Sequence, residues 1–292
     1  LFYIFLLTGT NNFAKLPVLT NKVDDVKEFR SEAGLDSISL DGNISILCFL
    51  GRDPLMHKTN ALNLNEKIHV DRDKCLLCGD CTAACPTGAL EIIGREITVK
   101  DIMKEIEKDR VFYEESGGGV TFSGGEPLMQ PEFLEALLRE NRRRGFHVCL
   151  DTCGQAPWAV IERIRPMIDI FLYDLKSVDS GLHKRETGVP NKLILDNLRK
   201  LAETGQRIII RIPIIPGFND TAEGIRSMGE FVRSLPGVRD VSLLPYHDIA
   251  GEKYKRLDKP SSLDDLKPHA EGRIQEIKSK LEDFDLKVAI GS

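Results

Sequence analysis

The sequence predicts an α/β protein, a parallel (β/α)6 partial barrel interrupted by a cysteine-rich insertion. Three observations predict it. Short apolar or β-branched runs alternate with segments of helical period. Each run ends in glycine or a polar side chain, which is where such barrels keep their chemistry. Four of the seven cysteines crowd into Cys75–Cys85, in the long connection after the first strand. Six principal strands are too few to close a full barrel, so the barrel is incomplete.

The stretch that organises the chain is Ser116–Pro127, SGGGVTFSGGEP. Val120, Thr121 and Phe122 form a short strand that stops in Gly124-Gly125-Glu126-Pro127. Two glycines without Cβ atoms bring bare backbone up to whatever lies above the strand end, and Glu126 adds one carboxylate there. Pro131 opens the covering helix, with Phe133, Leu134, Leu137 and Leu138 on one face and Gly145 at its stop. An isolated GGE would be an ordinary glycine turn; the strand–loop–helix context makes it a ligand-facing loop.

The other elements follow in order. Residues 1–35 carry no interpretable pattern; their opening LFYIFLL is too short to span a bilayer, and no basic region or cleavage site marks a signal peptide. Ile44–Leu50 is a continuous apolar run suited to a buried parallel strand. Thr98–Tyr113 is read as one helix on Val99, Ile102, Met103 and Ile106. His147–Leu150 is a strand ending in Asp151-Thr152-Cys153-Gly154, and Asp169–Leu172 one ending in Tyr173-Asp174-Leu175-Lys176. The helix Lys192–Thr204 stops at Gly205. Arg207–Ile215 is a buried β-branched strand ending in Pro216-Gly217-Phe218-Asn219. Asp220 is expected to cap the next helix, with Glu223 at the capping-box position. Val241–Leu244 ends in Pro245-Tyr246-His247. A polar helical region broken at Pro268 leads to a last short strand, Leu286–Ile290. The barrel is assigned residues 36–291 and the insertion residues 68–93.

A chain of 292 residues with 41% hydrophobic and 29% charged residues has the composition of a soluble globular protein. The formal charge of −5 argues against nucleic acid or an anionic membrane as partner. The cysteines are too closely and regularly spaced for a disulfide framework, so they point to metal binding in a reducing, cytoplasmic compartment.

Cys75-Leu-Leu-Cys78-Gly-Asp-Cys81-Thr-Ala-Ala-Cys85-Pro86 is the CxxCxxCxxxCP run of bacterial ferredoxins, which holds [4Fe–4S] clusters. Gly79 permits the tight turn and Pro86 ends the wrap. In two-cluster ferredoxins the fourth cysteine serves the other cluster, and no second run exists here. Either Cys85 bends back or Cys48 approaches as the fourth ligand.

With GGGVTFSGGEP, DTCG, YDLK, HKRETG, RIPIIPGFND and LLPYH in view, the chain resembles the glycyl-radical-enzyme activating family, radical S-adenosylmethionine (SAM) enzymes related to pyruvate formate-lyase activating enzyme. The likeness covers residues 70–291. It implies a radical-SAM-type barrel in which a [4Fe–4S] cluster reductively cleaves SAM, and the 5′-deoxyadenosyl radical takes hydrogen from a glycine of a partner glycyl radical enzyme. It further implies a flavodoxin or ferredoxin-type reductant and a ferredoxin-like insertion, of which Cys75–Cys85 resembles the second half. Carried over, Gly124, Gly125 and Glu126 bind the amino end of SAM, and Asp151 and Thr152 shape the site. Asp174 lies at a monovalent cation, Leu175 and Lys176 are in the SAM-contacting loop, Arg211 meets the carboxylate or ribose, and His247 lies against the nucleoside. Alone, Lys176 and Arg211 fit solvated or salt-bridged side chains and His247 a surface histidine; their shared place at strand ends favours function. Cys149 and Cys153 are expected to pack.

One departure qualifies the resemblance. The family's CxxxCxxC triad is absent, and FLGRDPLMHKTN falls on its segment, with Asp53, His57 and Asn60 at the three cysteine positions. Those are hard or neutral donors, poorly matched to a cluster that prefers thiolates. The leading expectation is therefore a family activase whose catalytic cluster is lost. Against it stand a non-catalytic SAM and Fe–S binding module or electron-transfer protein, and a barrel aldolase using Lys176 as a Schiff-base nucleophile. The aldolase leaves the cysteine run and GGEP unexplained.

Overall fold

The computed structural model describes residues 2–6, 18–21, 62–64, 68–71, 74–76, 78–84, 90–93, 97–247 and 266–291. The expected strand Ile44–Leu50, Cys48, Cys85 and the triad positions Asp53, His57 and Asn60 lie outside them. The chain divides into two compact units, Leu1–Ala14 with Ile97–Asp248 and Leu266–Ser292, and Lys15–Glu96 with Ile249–Asp265.

The first strand, β1 (Phe2–Leu6), belongs to the larger unit and pairs in parallel with the strand that carries the glycine motif. Residues read as an uninformative opening thus contribute a strand to the barrel sheet. The smaller unit follows. Its β2 (Val18–Asn21) pairs antiparallel with β5 (Leu90–Ile93), and β3 (Leu62–Leu64) pairs antiparallel with β4 (Ile68–Val70). Between β4 and β5 lies a short helix, α1 (Asp80–Ala84).

The larger unit continues with α2 (Val99–Lys108) and α3 (Arg110–Ser116). The single helix expected over Thr98–Tyr113 is therefore two, broken at Asp109, whose φ/ψ of −100°/9° leaves the helical region. Thr98 caps the first by accepting from Asp101 N. Then come β6 (Gly119–Gly124), α4 (Pro131–Arg143), β7 (His147–Thr152), α5 (Trp158–Ile164), β8 (Ile170–Asp174), α6 (Ser180–Thr187) and α7 (Lys192–Glu203). The chain closes with β9 (Ile208–Ile214), α8 (Ala222–Ser234), β10 (Asp240–Pro245), α9 (Glu271–Glu282) and β11 (Lys287–Ile290). The sequence carries no clear signal for α5 or α6.

Among the described residues seven parallel strands lie in the order β1-β6-β7-β8-β9-β10-β11, with β1 and β11 at the ends of that order. The α/β partial-barrel class is as expected, with seven strands described where six were read from the sequence. Ile208, Ile210, Ile212 and Ile214 of β9 are buried, whereas Ile209, Arg211 and Pro213 between them are only half-buried. A run that reads as uniformly buried is thus divided by strand pleat into two faces. One face joins a continuous core with Phe122, Leu150, Tyr173, Leu134, Leu198 and Val232, each such side chain contributing roughly 1.5–3 kcal/mol. The other face holds the polar groups of the site.

Helix ends follow the sequence closely where glycine sets them. Gly145 and Gly205 take φ of 75° and 73° just beyond α4 and α7. At α8 the cap differs from expectation: Thr221 is the N-cap and accepts from Gly224 N, whereas Asp220 accepts from Gly217 N and so stabilises the Pro-Gly turn.

Candidate functional site

The parallel order places the C-terminal ends of β6, β7, β8 and β9 side by side, and the sequence puts a charged or polar residue on each. At the end of β6, Gly124 adopts φ 134°, a conformation open to glycine. Glu126 follows and is tied down at three points. Its Oε1 accepts from Thr152 Oγ1 (2.6 Å) and Leu128 N (3.1 Å), and its Oε2 from Cys153 N (2.8 Å). The β7 exit loop thus fixes the β6 carboxylate.

One layer lower, Arg211 on β9 donates from Nη1 to Asp151 Oδ2 on β7 (2.6 Å), and Ser123 Oγ on β6 donates to the same oxygen (2.9 Å). Asp174 on β8 pairs through Oδ2 with Lys176 Nζ (3.1 Å), and its Oδ1 stands 3.9 Å from Arg211 Nε. Those last two atoms are buried and make no hydrogen bond. Burial, helped by Asp174, raises the Asp151 carboxyl above the ordinary value although Arg211 and Ser123 oppose it. For Lys176, burial works against the charge, but Asp174, Cys153 and Glu126 outweigh it and hold the ammonium above the ordinary lysine value. Burial and the neighbouring Glu126 push the Cys153 thiol up to about 12, so it is protonated. Cys149 is buried in the barrel wall, its thiol raised to about 11 chiefly by burial.

Of the residues singled out from sequence, the structure joins Glu126 with Thr152, Asp151 with Arg211, and Asp174 with Lys176. Gly125 is exposed in the bend before Glu126. Leu175 packs its side chain into the core, and its N–H extends the ladder to Arg211 O (2.9 Å). His247 is exposed just past β10, and no hydrogen bond or ion pair joins it to the cluster among the described residues. Ser123 was missed. Its alternation with Thr121 along β6 is the signal that puts it on the inner face. Below this layer the strand N-termini enclose a cavity of about 970 Å³, lined by Cys149, Leu172, Ile209 and the underside of Arg211.

In the smaller unit, Gly79 takes φ 84°, as the tight turn requires, and Thr82 N and Ala83 N both donate to its carbonyl (3.0 Å each). Cys75 is half-buried, Cys78 exposed and Cys81 buried. Burial lifts Cys81 to about 11, with Cys75 and Cys78 near enough to add to the shift. Among the described residues no three Cys, His, Asp or Glu side chains are gathered as a metal-ligand set. Three thiols on one short turn nonetheless offer the soft donors an iron–sulfur cluster takes.

Comparison with known proteins agrees with this chemistry. The profile of the radical SAM superfamily matches residues 79–228, and that of a 4Fe-4S binding domain matches residues 67–90. The chain is 43% identical to the trans-4-hydroxy-L-proline dehydratase activating enzyme of Clostridioides difficile, over 80% of this chain and 88% of that protein. It is 41% identical to the isethionate sulfite-lyase activating enzyme of Nitratidesulfovibrio vulgaris, over 71% and 68% of the two chains. Among solved structures, a domain of a pyruvate-formate lyase-activating enzyme from Bacteroides vulgatus is 37% identical with a TM-score of 0.52, covering 60% of this chain and 99% of that one.

Proposed function

Because the chain belongs to the radical SAM superfamily and, within it, to the glycyl-radical-enzyme activating enzymes, we propose that its barrel binds SAM at the strand C-termini and that SAM cleavage does not start in the sequence as it stands. The family is one of oxidoreductase-type enzymes whose cofactors are a [4Fe–4S] cluster and SAM. Together these supply the one-electron chemistry with which its members form glycyl radicals.

The residues present fit SAM. Glu126 uses three of its roughly four lone-pair directions on Thr152, Cys153 and Leu128, leaving acceptor capacity for an ammonium. Lys176 and Arg211 bring positive charge for a carboxylate, and Gly124 and Gly125 keep Cβ atoms out of the way. The observation that carries the proposal is that Asp174 Oδ1 and Arg211 Nε, buried inside this charged layer and 3.9 Å apart, make no hydrogen bond, polar capacity that a ligand or bound cation can satisfy.

The residues present do not fit the cluster at which SAM is split. Asp53, His57 and Asn60 provide no thiolate, so no catalytic step is derived through that group. Cys75, Cys78 and Cys81 fit three ligands of a separate ferredoxin-type cluster, with the fourth open between Cys85 and Cys48. Its role is electron relay or structure, supplied by a flavodoxin or ferredoxin-type reductant in the cytoplasm. The protein partner is a glycyl radical enzyme. Among the described residues no helix is long and apolar enough to cross a membrane.

The test is anaerobic reconstitution with iron and sulfide, followed by an iron count, SAM calorimetry and an assay for 5′-deoxyadenosine. The expected result is one cluster per chain, SAM binding that Glu126→Ala abolishes, and no 5′-deoxyadenosine above background. Replacing Asp53, His57 and Asn60 together by cysteine is expected to add a second cluster and a SAM-dependent signal. Turnover by the unmodified chain overturns the loss of cleavage, and no binding at millimolar SAM overturns the pocket.

A further inference from the structure

Three buried asparagines outside the charged layer grip the loops that carry it. Asn197 on α7 donates from Nδ2 to Gly154 O (2.9 Å) and Ala156 O (2.8 Å). Asn191, just before that helix, donates to Ser177 O (2.8 Å) and Val178 O (3.0 Å). Asn219 donates to Lys176 O (2.8 Å) and Pro213 O (2.7 Å), while its Oδ1 accepts from Ile215 N (3.0 Å). Their exposures are only 1–2%. Two carbonyl oxygens can be met only by the NH2 end of an amide, so each side chain has one usable orientation. Asn197 keeps that orientation although its own Oδ1 is left buried and unpartnered.

We propose that Asn197, Asn191 and Asn219 are positioning residues that fix Glu126 and Lys176 for SAM. The inference rests on the reading that these two charged groups face SAM. The path to Glu126 is short. Asn197 holds the carbonyl of Gly154, whose N–H donates to Thr152 Oγ1 (2.9 Å), and Thr152 Oγ1 and Cys153 N are two of the three donors on the carboxylate. The path to Lys176 is shorter still. The carbonyls of Lys176, Ser177 and Val178 are all taken by Asn219 and Asn191, so the exit of β8 is pinned from the lysine onward. With the main chain held, Lys176 Nζ stays on Asp174 Oδ2. Loosening the loop lets the ammonium leave Asp174 and the place it holds at the strand end.

Asn141 provides the control. It is equally buried, but its Nδ2 donates to Leu137 O and lies against Met103 Sδ, within the helical layer. The experiment compares Asn219→Ala, Asn197→Ala and Asn141→Ala in the full chain. Three quantities are read: Tm, SAM affinity by calorimetry, and the rate of Lys176 acylation at one fixed pH by peptide mass spectrometry. Asn219→Ala is expected to speed Lys176 acylation severalfold, as its ammonium leaves Asp174, and to weaken SAM about tenfold. Asn197→Ala should weaken SAM to a similar degree with Lys176 little changed. Asn141→Ala should lower Tm and leave both site readouts alone. If Asn219→Ala does not fold, Asn191→Ala carries the same expectation for Lys176. Asparagine variants that match Asn141→Ala in every readout overturn the proposal. Unchanged SAM affinity in Lys176→Ala and Glu126→Ala sinks the SAM reading instead, and the Lys176 acylation rate then decides positioning by itself.

Discussion

Arg211 reaches past a whole strand to its partner: from β9 its Nη1 lies 2.6 Å from Asp151 Oδ2 on β7, with β8 between them. Both side chains are largely shielded, at 18% and 16% exposure, so the pair is worth more than a surface bridge and is costly to break. Arg211→Ala is expected to destabilise the protein by about 3 kcal/mol near neutral pH. The sign of the pH dependence follows from Asp151. Its folded value is already above the unfolded one, and losing Arg211 raises it further. Stability in the variant is therefore lost as pH rises through that value, so the gap to the unmodified chain should be small near pH ~4 and grow toward pH ~7. Urea denaturation at both ends checks this, and Asp151→Asn in the Arg211→Ala background should recover part of the loss.

Gly154 is a second point where one atom decides. Its φ is 71°, and a Cβ built there would meet Tyr173 Oη at 1.7 Å. Tyr173 is held in place by its own bond to Ile194 O (2.7 Å) at the core. Gly154→Ala therefore combines backbone strain of roughly 1–2 kcal/mol with overpacking of roughly 1–3 kcal/mol. Tyr173→Phe alone removes the hydroxyl's bond to Ile194 O, a carbonyl that the helix also uses, and costs about 0.5–1.5 kcal/mol. The double variant removes the nearest clashing atom, but the ring carbons Cζ and Cε2 still crowd the added Cβ, so its loss should be only slightly smaller than the sum of the two. Strict additivity in thermal melts would show that the ring, not the hydroxyl, sets the clash.

These residues show what a sequence discloses and what it withholds. The strand–helix rhythm and the polar strand ends were legible because pleat and helical period leave their pattern in adjacent residues. Glu126 stood out at such a strand end, whereas Asp151, Asp174, Lys176 and Arg211 were marked by the family resemblance, their place at strand ends adding weight. Phe2–Leu6 was not legible as a barrel strand, because a short apolar run carries no label for its neighbour and Ile44–Leu50 competes for the place. The break of Thr98–Ser116 at Asp109 was also hidden, since the apolar spacing continues across it. The asparagine forks were least visible of all. Asn219 was visible only as part of the Pro-Gly-Phe-Asn strand end and nothing marked Asn191 or Asn197; only tertiary contact shows that their amides face backbone carbonyls elsewhere in the chain.

Away from the site, Glu107 joins α2 to the residues that follow it and to the end of α4. Its carboxylate accepts from Arg110 Nε (2.6 Å) and Arg144 Nη1 (3.0 Å). The hydrogen bond from Arg110, with that from Arg144, holds its pKa down to about 2 from 4.5. A lowered folded value contributes stability above the unfolded pKa and loses it as pH falls through the folded one. Glu107→Gln should therefore lower Tm at neutral pH by a modest amount, since a third of the side chain is exposed and salt screens the pair. The difference should shrink between pH 4.5 and about 2. A constant difference across that range would show that the loss is packing, not charge.

The last prediction concerns how the four clustered cysteines divide their labour. Cys75 N bonds to Asp71 O, Gly79 turns the chain at φ 84°, and Cys81 lies in the first turn of α1 with its thiol buried. Cys75, Cys78 and Cys81 thus sit on one short bend, whereas Cys85 follows the end of the helix. In ferredoxin runs of this spacing the fourth cysteine belongs to a different cluster from the first three. Anaerobically reconstituted Cys78→Ser is therefore expected to lose most of its iron and its charge-transfer absorption. Cys85→Ser should keep most of both, with another ligand closing the cube. The readout is iron per chain after desalting, beside the visible spectrum. Equal loss in the two variants would mean that Cys85 folds back past the end of α1 to complete the same cluster, and that the division of ligands found in two-cluster ferredoxins does not extend to this chain.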